Sequence, residues 1–530
     1  MRSILLSLLI IGCHYIGLSQ NQSIFPPATS WKNCYGGSNN DKGYSIRQTP
    51  DGGFIVTGST LSNDIQVTGN YGSFDIWLVK LNALGVIEWQ KNIGGSSADI
   101  GNDVWPTADG GYILGATTSS NNYDISGSKG LSDYVLIKTD ASGQIQWSKN
   151  YGGTDKEQLI NIYPTIDGGY ILGGYSNSND VDVSNNNGSS DIWLVKTDST
   201  GNLQWQKCYG GSQAEFSSGI QQSSNGMYFA GGTTYSNDSD ITLNKGGSDY
   251  WVLRLWNTSG IAWQYTYGGS YDEIMHGFTQ NTALGYVMCG SSLSNDGDVS
   301  GHVGPHGLAG TTDAWMCKLT NTGMLQWQDS YGGGDNETGA NVSQDSDSGY
   351  VFCGWSNSPL PNTAPNKGGY DNYLLKSAKN GNRLWSLSLG GSDNETANAI
   401  EVTADSGYAL IGSTYSNDLD VTGNHGLQDI WIVRFGQQIP NAIPAEEKIN
   451  LAMTYPNPAV DFTQIMIGEP LRKRVDEVRI YDVNAVLIET IYTAGAHAAI
   501  VNRSGKKPGL YFYQLIGGDT KIASGKIIFE

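Results

Sequence analysis

The sequence predicts an all-β protein: a seven-bladed β-propeller closed by an N-terminal strand, followed by a small β-sandwich. Three observations carry that expectation. Tryptophan recurs at Trp31, Trp89, Trp147, Trp205, Trp263, Trp327 and Trp385, and a fixed period in this range marks a solenoid or propeller, whose units cannot bury their apolar faces singly. An Asp-x-aromatic element keeps step with it at Asp75, Asp133, Asp191, Asp249, Asp313, Asp371 and Asp429, with Val135 and Tyr373 standing where the other copies carry Trp. Composition agrees, because 71 Gly, 15 Trp and 30 Tyr in 530 residues describe short strands joined by glycine-rich turns, in a chain too long for one compact core.

Each copy holds four strands, placed in the first complete copy at 44–49, 54–58, 75–81 and 86–93. Pro50-Asp51-Gly52-Gly53 and Asn82-Ala83-Leu84-Gly85 supply tight turns for the first and last pairs. The third strand, Ile76-Trp77-Leu78-Val79-Lys80-Leu81, is apolar on both faces, as a sheet stacked between two other sheets requires. The seventh copy has three strands, near 399–402, 408–411 and 429–435, and no Trp-bearing fourth. An unmatched Trp strand, Ser30 to Tyr35, stands at the N-terminus instead. If it completes the last blade, the ring has no open edge, whereas a linear solenoid would need polar caps. The propeller then occupies 26–436.

The segment Val79 to Trp89 resembles the turn and outer-strand tryptophan of quinoprotein-type propellers. The resemblance implies that the indole docks between blades; it carries over no quinone or metal, because that family's ligating residues have no match here. The Asp167-Gly168-Gly169-Tyr170-Ile171 theme is also similar to bacterial outer-surface repeat proteins, which adds the fold and little else.

A formal charge of −20 argues against a nucleic-acid partner, since phosphate binding needs clustered Lys and Arg. It suits cations or neutral ligands, or simply keeps an exported protein soluble. Met1-Arg2, the apolar run 4–11 and Gly17-Leu18-Ser19-Gln20 read as an export signal over 1–20, leaving no transmembrane span in the mature chain. A competing reading makes Ile10-Ile11-Gly12-Cys13 a lipoprotein box. Cys34, Cys208, Cys289, Cys317 and Cys353 form no disulfide framework or metal spacing. Cys289 and Cys317 fall on neighbouring strands, as a pair or as small buried hydrophobes.

Strand order places the second-to-third loop and the crossover to the next blade on one face, where every long loop falls. The loop 59–74 is of a length uncommon without a function. Within it an Asn-Asp-x-Asp core recurs, with carboxylates at Asp180 and Asp182, Asp238 and Asp240, Asp296 and Asp298, and Asp418 and Asp420; Gln66, Asn122 and Ser358 break it in copies one, two and six. Two carboxylates and an Asn oxygen suit calcium, and the same residues also build Asx-turns without an ion. An acidic residue follows every anchor Trp, at Asp41, Asp99, Glu157, Glu215, Glu273, Glu337 and Glu395. That ring either concentrates cations near the channel mouth or accepts N–H bonds from the adjacent Gly-Gly.

Symmetry breaks in two copies. The fifth carries six extra residues in 301–310, where His302 and His306 are a candidate metal pair lacking a third ligand. The sixth has Pro359, Pro361 and Pro365, which with Trp355 form a sugar-stacking lip or an ordinary loop variant. No nucleophile elbow, Walker loop or zinc helix is present, and calcium is the single cofactor the pattern suggests.

Past Phe435 the repeat ends in a polar, proline-marked linker, 437–449. The segment 450–530 carries Tyr455-Pro456-Asn457-Pro458, Asp461, Ile480-Tyr481-Asp482, Pro508-Gly509-Leu510-Tyr511 and Gly525-Lys526. These motifs in this order resemble the C-terminal sorting domain of the type IX secretion system, subtype A; Asn484-Ala485 departs where that family has a Gly. The resemblance implies a small β-sandwich that engages the type IX machinery and takes its cargo across the outer membrane, to be released or surface-attached. The expected function is therefore a secreted or surface-attached propeller that binds an extracellular glycan or protein through its long-loop face. The alternatives are an extracellular polysaccharide hydrolase or lyase using the loop carboxylates or the His302 loop, and a purely architectural surface protein.

Overall fold

The computed structural model describes residues 26–359, 366–436, 452–455, 459–467, 475–482, 486–493, 496, 498–517 and 520–529. The expected export signal and linker, and Pro456, Asn457 and Pro458, lie outside them. The described residues contain strands and turns and no helix. They fall into two compact units that divide at Gln437/Gln438.

The first unit is seven four-stranded antiparallel sheets. Blade 1 is Asp41–Gln48, Phe54–Thr60, Asp75–Leu81 and Ile87–Ile93, and blades 2 to 6 repeat it over 99–151, 157–209, 215–267, 273–331 and 337–389. Blade 7 joins Glu395–Val402, Tyr408–Thr414 and Asp429–Phe435 to the N-terminal Thr29–Tyr35, which lies antiparallel with Trp31 opposite Arg434 and Cys34 opposite Trp431. The borrowed strand closes the ring as the sequence predicts. The first strand of each blade touches the first strand of the next, and the seventh touches the first, so these strands surround the axis.

Cohesion between blades comes from the repeated aromatics. Trp31 meets Phe54 of blade 1 at 6.1 Å, Trp89 meets Tyr112 of blade 2 at 5.8 Å, and Trp385 meets Tyr408 of blade 7 at 6.1 Å. The tyrosine that ends the fourth strand of every blade but 1 and 6, which end in Ile93 and Leu389, reaches further: the hydroxyls of Tyr35, Tyr209 and Tyr331 donate to the carbonyls of Gly85, Ser259 and Gly381 in the next blade. The Trp of the third strand is fully buried at Trp77, Trp193, Trp251 and Trp315, and each indole N–H donates to a Gln side chain, of Gln90, Gln206, Gln264 and Gln328, at 2.8–2.9 Å. A buried N–H needs such an acceptor. Copies two and six, with Val135 and Tyr373, carry Ser148 and Ser386 at the Gln position.

All five described cysteines are buried and free. Cys289 lies opposite Met316 and Cys317 opposite Met288, so the pleat turns the two thiols to opposite faces. They are small hydrophobes of different inter-blade cores.

The second unit has a three-stranded sheet (Ala452–Tyr455, Phe462–Ile467, Ala498–Asn502) and a four-stranded sheet (Glu477–Tyr481, Leu487–Tyr492, Gly509–Gly517, Thr520–Phe529). Ile465 and Val501 of the one share a core with Ile480, Tyr513 and Phe529 of the other, which makes the expected β-sandwich. Among the described residues no helix is long and apolar enough to cross a membrane.

Candidate functional site

The acidic residue that opens each blade is fully buried, from Asp41 to Glu395. Glu157 shows the pattern: Oε2 accepts the Gly153 N–H at 2.8 Å and Oε1 accepts the Ser176 hydroxyl at 2.7 Å. Glu215 does the same with Gly211 and Thr234, and Glu395 with Gly391 and Thr414. This corrects the cation-concentrating alternative, since a ring without exposed oxygen presents nothing to an ion in the channel.

A second carboxylate ring stands against the first. In Asp191 and Asp249 one oxygen accepts the N–H of the residue four places earlier, at 2.9 and 2.8 Å. The other oxygen has no protein partner in any of Asp75, Asp133, Asp191, Asp249, Asp313, Asp371 and Asp429. The two rings face each other over the first glycine of each Gly-Gly. A β-carbon on Gly36 would stand 2.5 Å from Asp41 Oδ2 and 2.5 Å from Asp429 Oδ1, so only glycine fits there. Burial, reinforced by the neighbouring acid, raises Asp75 and Asp133 to about 6 and Asp191 and Asp313 to about 7.

The Asn-Asp-x-Asp residues staple the crossover to the long loop. Asp180, Asp238, Asp296 and Asp418 accept the N–H of Thr154, Ser212, Ser270 and Ser392 at 2.8–2.9 Å. Asp182, Asp240, Asp298 and Asp420 accept the first-glycine N–H of the crossover at 3.2–3.4 Å. Lys129, Lys245 and Lys367 from the preceding blade pair with Asp182, Asp298 and Asp420. Where the motif breaks, neutral amides do the same work: Gln66 accepts the Gly36 N–H at 3.2 Å and Asn122 the Ser96 N–H at 2.9 Å. At each of these two positions a neutral amide accepts the same N–H as the carboxylate of the other copies. Ser358 instead accepts the Asp335 N–H at 2.8 Å, as Ser178 does for Asp155, and residues 360 and 362, aligned with the Asp pair, lie outside the described residues.

The intervening residue has a left-handed φ of 56–59° at Ile65, Tyr123, Val181 and Leu419, which turns its side chain outward. These four are 61–68 % exposed. Among the described residues no three His, Cys, Asp or Glu side chains are placed to hold a metal ion. His302 and His306 do approach, with ring centroids 6.0 Å apart. His302 is buried beside Asp313 at 4.0 Å, and burial lowers its pKa.

The channel wall is where the copies differ most. Each first strand carries a β-bulge at its centre, and its buried positions alternate with partly exposed ones that border the axis. In blade order the bulged residue is Tyr44, Asn102, Ile160, Ser218, His276, Ala340 and Asn398; two positions nearer the long-loop face stand Lys42, Ile100, Gln158, Phe216, Ile274, Thr338 and Thr396. Tyr175 of blade 3 and Tyr235 of blade 4 pack edge-on to Phe216 at 5.1 and 6.3 Å. Trp355 sits in the second strand of blade 6, with its ring 6.1 Å from that of His276, so it belongs to the channel rather than to a loop lip; Pro361 and Pro365 lie outside the described residues. His276 is exposed to the channel, and the protein around it lowers the pKa of its imidazole by desolvation. Phe216, Tyr175 and His276 escaped the sequence reading. Comparing the copies at the alternate positions of the first strand would have found them.

In the second unit Asp482 accepts the Val486 N–H at 2.9 Å and holds the turn after Tyr481. Gly509 opens a strand at φ 144°, and the buried Tyr511 donates to the Lys507 carbonyl at 2.9 Å. The Asp461 carbonyl accepts the Arg503 N–H. Tyr455 ends a strand, and Gly525 and Lys526 lie opposite Tyr513 and Phe512. Of the motif residues within the described set, Tyr455, Tyr481 and Gly509 sit at strand ends, while Tyr511, Gly525 and Lys526 lie within paired strands.

Residues 453–530 match the family model of the secretion system C-terminal sorting domain. A curated relative, the regulatory protein FlaEY of Caulobacter vibrioides, is 27 % identical over 141 residues, which cover 24 % of this chain and 15 % of that protein. Similar solved structures include the Pan2 WD40 domain of Neurospora crassa (11 % identity, TM-score 0.42, 75 % of this chain and 90 % of that one). Another is a protein of unknown function from Dyadobacter fermentans (11 %, TM-score 0.36, 63 % and 93 %). The chain ends in a type IX secretion sorting domain, and the protein is exported by that system to the cell surface or the medium.

Proposed function

We propose that the exported propeller is a binding protein that takes an extracellular glycan or protein through its long-loop face. The observation that carries this is the distribution of asymmetry. Scaffold groups repeat round the ring, while the wall of the long-loop mouth varies from blade to blade and exposes aromatic rings. Repeated groups serve the shared fold; unique groups on one concave face serve a ligand. The loop carboxylates that a polysaccharide hydrolase or lyase would draw on are engaged with backbone N–H groups and lysines, which favours binding over catalysis.

The test is to display the full chain against a glycan array and extracellular matrix proteins, with product release followed in parallel. Saturable binding without turnover is the expected result; turnover of any glycan would replace this proposal with the enzyme alternative. Calcium is tested in the same preparation, because an ion bound at the Asp loops would raise Tm and chelator would lower it.

A further inference from the structure

We infer that the long-loop mouth of the channel, along blades 3 to 6, binds an uncharged oligosaccharide; this rests on the binding function proposed above and names its ligand class and place. The site is built by Tyr175, Phe216, Tyr235 and Trp355. Two observations separate these rings from the packing aromatics. The first is exposure. Phe216 lies on the innermost strand and is 40 % exposed, whereas the residue at this row in every other blade is partly or fully buried.

The second is what the rings displace. At the Tyr175 position the other blades carry hydroxyls, three of which hold the following blade. Thr117 accepts the Leu159 N–H at 3.0 Å, Thr233 the Met275 N–H at 2.9 Å, and Ser413 the Gly43 N–H at 3.4 Å. Trp355 has no hydroxyl, and that of Tyr175 lies a ring's length away from its backbone. Blades 3 and 6 therefore forgo an inter-blade bond that blades 2, 4 and 7 make, and place aromatic surface in the channel.

The surrounding chemistry selects the ligand. At these two rows of the wall the arc presents Gln158 and Ser218 between the rings and no carboxylate; one row nearer the mouth stand Lys156 in blade 3 and Asp272 in blade 5, the latter accepting the Ser248 N–H at 2.9 Å. Lys42, the single Lys or Arg at the two wall positions, stands in blade 1, outside the arc, with its Nζ 5.6 Å from the Phe74 ring. The walls around His276 lower the pKa of its imidazole, which disfavours a charge there. The rows that carry the rings thus offer no fixed charge to hold a cation or an anionic sugar. Aromatic faces separated by amides and hydroxyls suit a pyranose, whose C–H face stacks while its hydroxyls bond to the intervening polar groups.

The internal repeat supplies gentle variants. Trp355→Ser, Phe216→Gln and Tyr175→Thr each install the residue a sister blade already carries, and Tyr123→Ser does so at an exposed loop tip. The full chain is titrated with neutral hexasaccharides (cello-, xylo-, manno- and chitohexaose) and with an anionic one, oligogalacturonate, with Tm recorded for each variant. The inference expects binding of at least one neutral hexasaccharide, weakened about tenfold or more by Phe216→Gln or Trp355→Ser, with Tm and the Tyr123→Ser affinity unchanged. Binding lost with Tyr123→Ser and kept in the channel variants would overturn the site and leave the binding function standing. Preference for the anionic sugar, or saturable binding of a matrix protein with none of the hexasaccharides bound, would overturn the ligand class. Binding of none of these would overturn both the site and the function it rests on.

Discussion

Acidification from pH 8 to pH 5 is expected to stabilise the propeller, and Asp191→Asn to stabilise it at pH 8 but not near pH 4. Asp191 Oδ2 accepts the Asn187 N–H, Oδ1 has no protein partner, and Glu215 lies across Gly210 from it. Burial, with the charges of Glu215 and Asp240 adding, raises its carboxyl from 3.8 to about 7. A raised carboxyl pKa means that the folded chain binds the proton more tightly than the unfolded one. Stability is therefore highest below about 4 and is lost as pH rises from there through about 7. The rise corresponds to an upper bound of about 4 kcal/mol at pH 8, which relaxation and water entry reduce to about 1–3 kcal/mol. Asparagine keeps the acceptor for Asn187, cannot ionise, and can donate to Glu215. Carboxyls held low by their partners, such as Asp51 and Asp198 at about 2, lose their contribution only below about pH 4 and leave the window from pH 5 to 8 undisturbed. Urea unfolding at pH 4.5, 6, 7 and 8 reads the effect directly. A flat or inverted pH profile in the wild type, or equal destabilisation by Asp191→Asn at every pH, would refute the reasoning.

Further outcomes follow from the packing. Removing residues 26–36 strips Cys34 and Tyr35 from the cores of blade 7 and its neighbour at about 1.5–3 kcal/mol for each fully buried apolar side chain; it also opens a sheet edge, so Tm should fall and light scattering rise, and an unchanged Tm would contradict closure. Gly152→Ala places a β-carbon against Asp133 and 2.6 Å from Glu157 Oε2 and should cost about 2–3 kcal/mol, against about 1 kcal/mol for Gly168→Ala, where the space is open and only the positive φ resists. Gln206→Leu should cost about 1–3 kcal/mol by orphaning the buried Trp193 N–H; the double change Trp193→Val with Gln206→Ser copies blade 2 and should cost less than the two single changes added, which a double-mutant cycle measures. Deleting residues 451–530 should hold the protein in the periplasm, as cell fractionation would show; unchanged surface display would count against the sorting role.

Much of the fold was legible because the repeat states it seven times. The unmatched Trp31 strand at the N-terminus and the missing one in the seventh copy predicted the borrowed strand, and the Asp-Gly-Gly turns set strand boundaries to within a few residues. The first strand begins at Asp41 rather than residue 44, because the acidic side chain that fixes its start is itself part of the ladder. The site was less legible. The Asn-Asp-x-Asp loops drew attention through their charge, and the structure adds that the same residues staple the crossover, a role Gln66 and Asn122 fill as neutral acceptors. The channel residues drew none, since a lone Phe or His in a strand carries no local signature.

Sequence alone determined the number of blades, their closure and the route of export, because periodicity and short linear motifs are one-dimensional properties. Tertiary structure decided which groups are buried, paired or exposed. Two carboxylate rings far apart in every copy meet over one glycine, and Tyr175, Phe216 and Trp355 share a channel mouth, because sheet stacking round an axis brings together residues that neither spacing nor pattern connects.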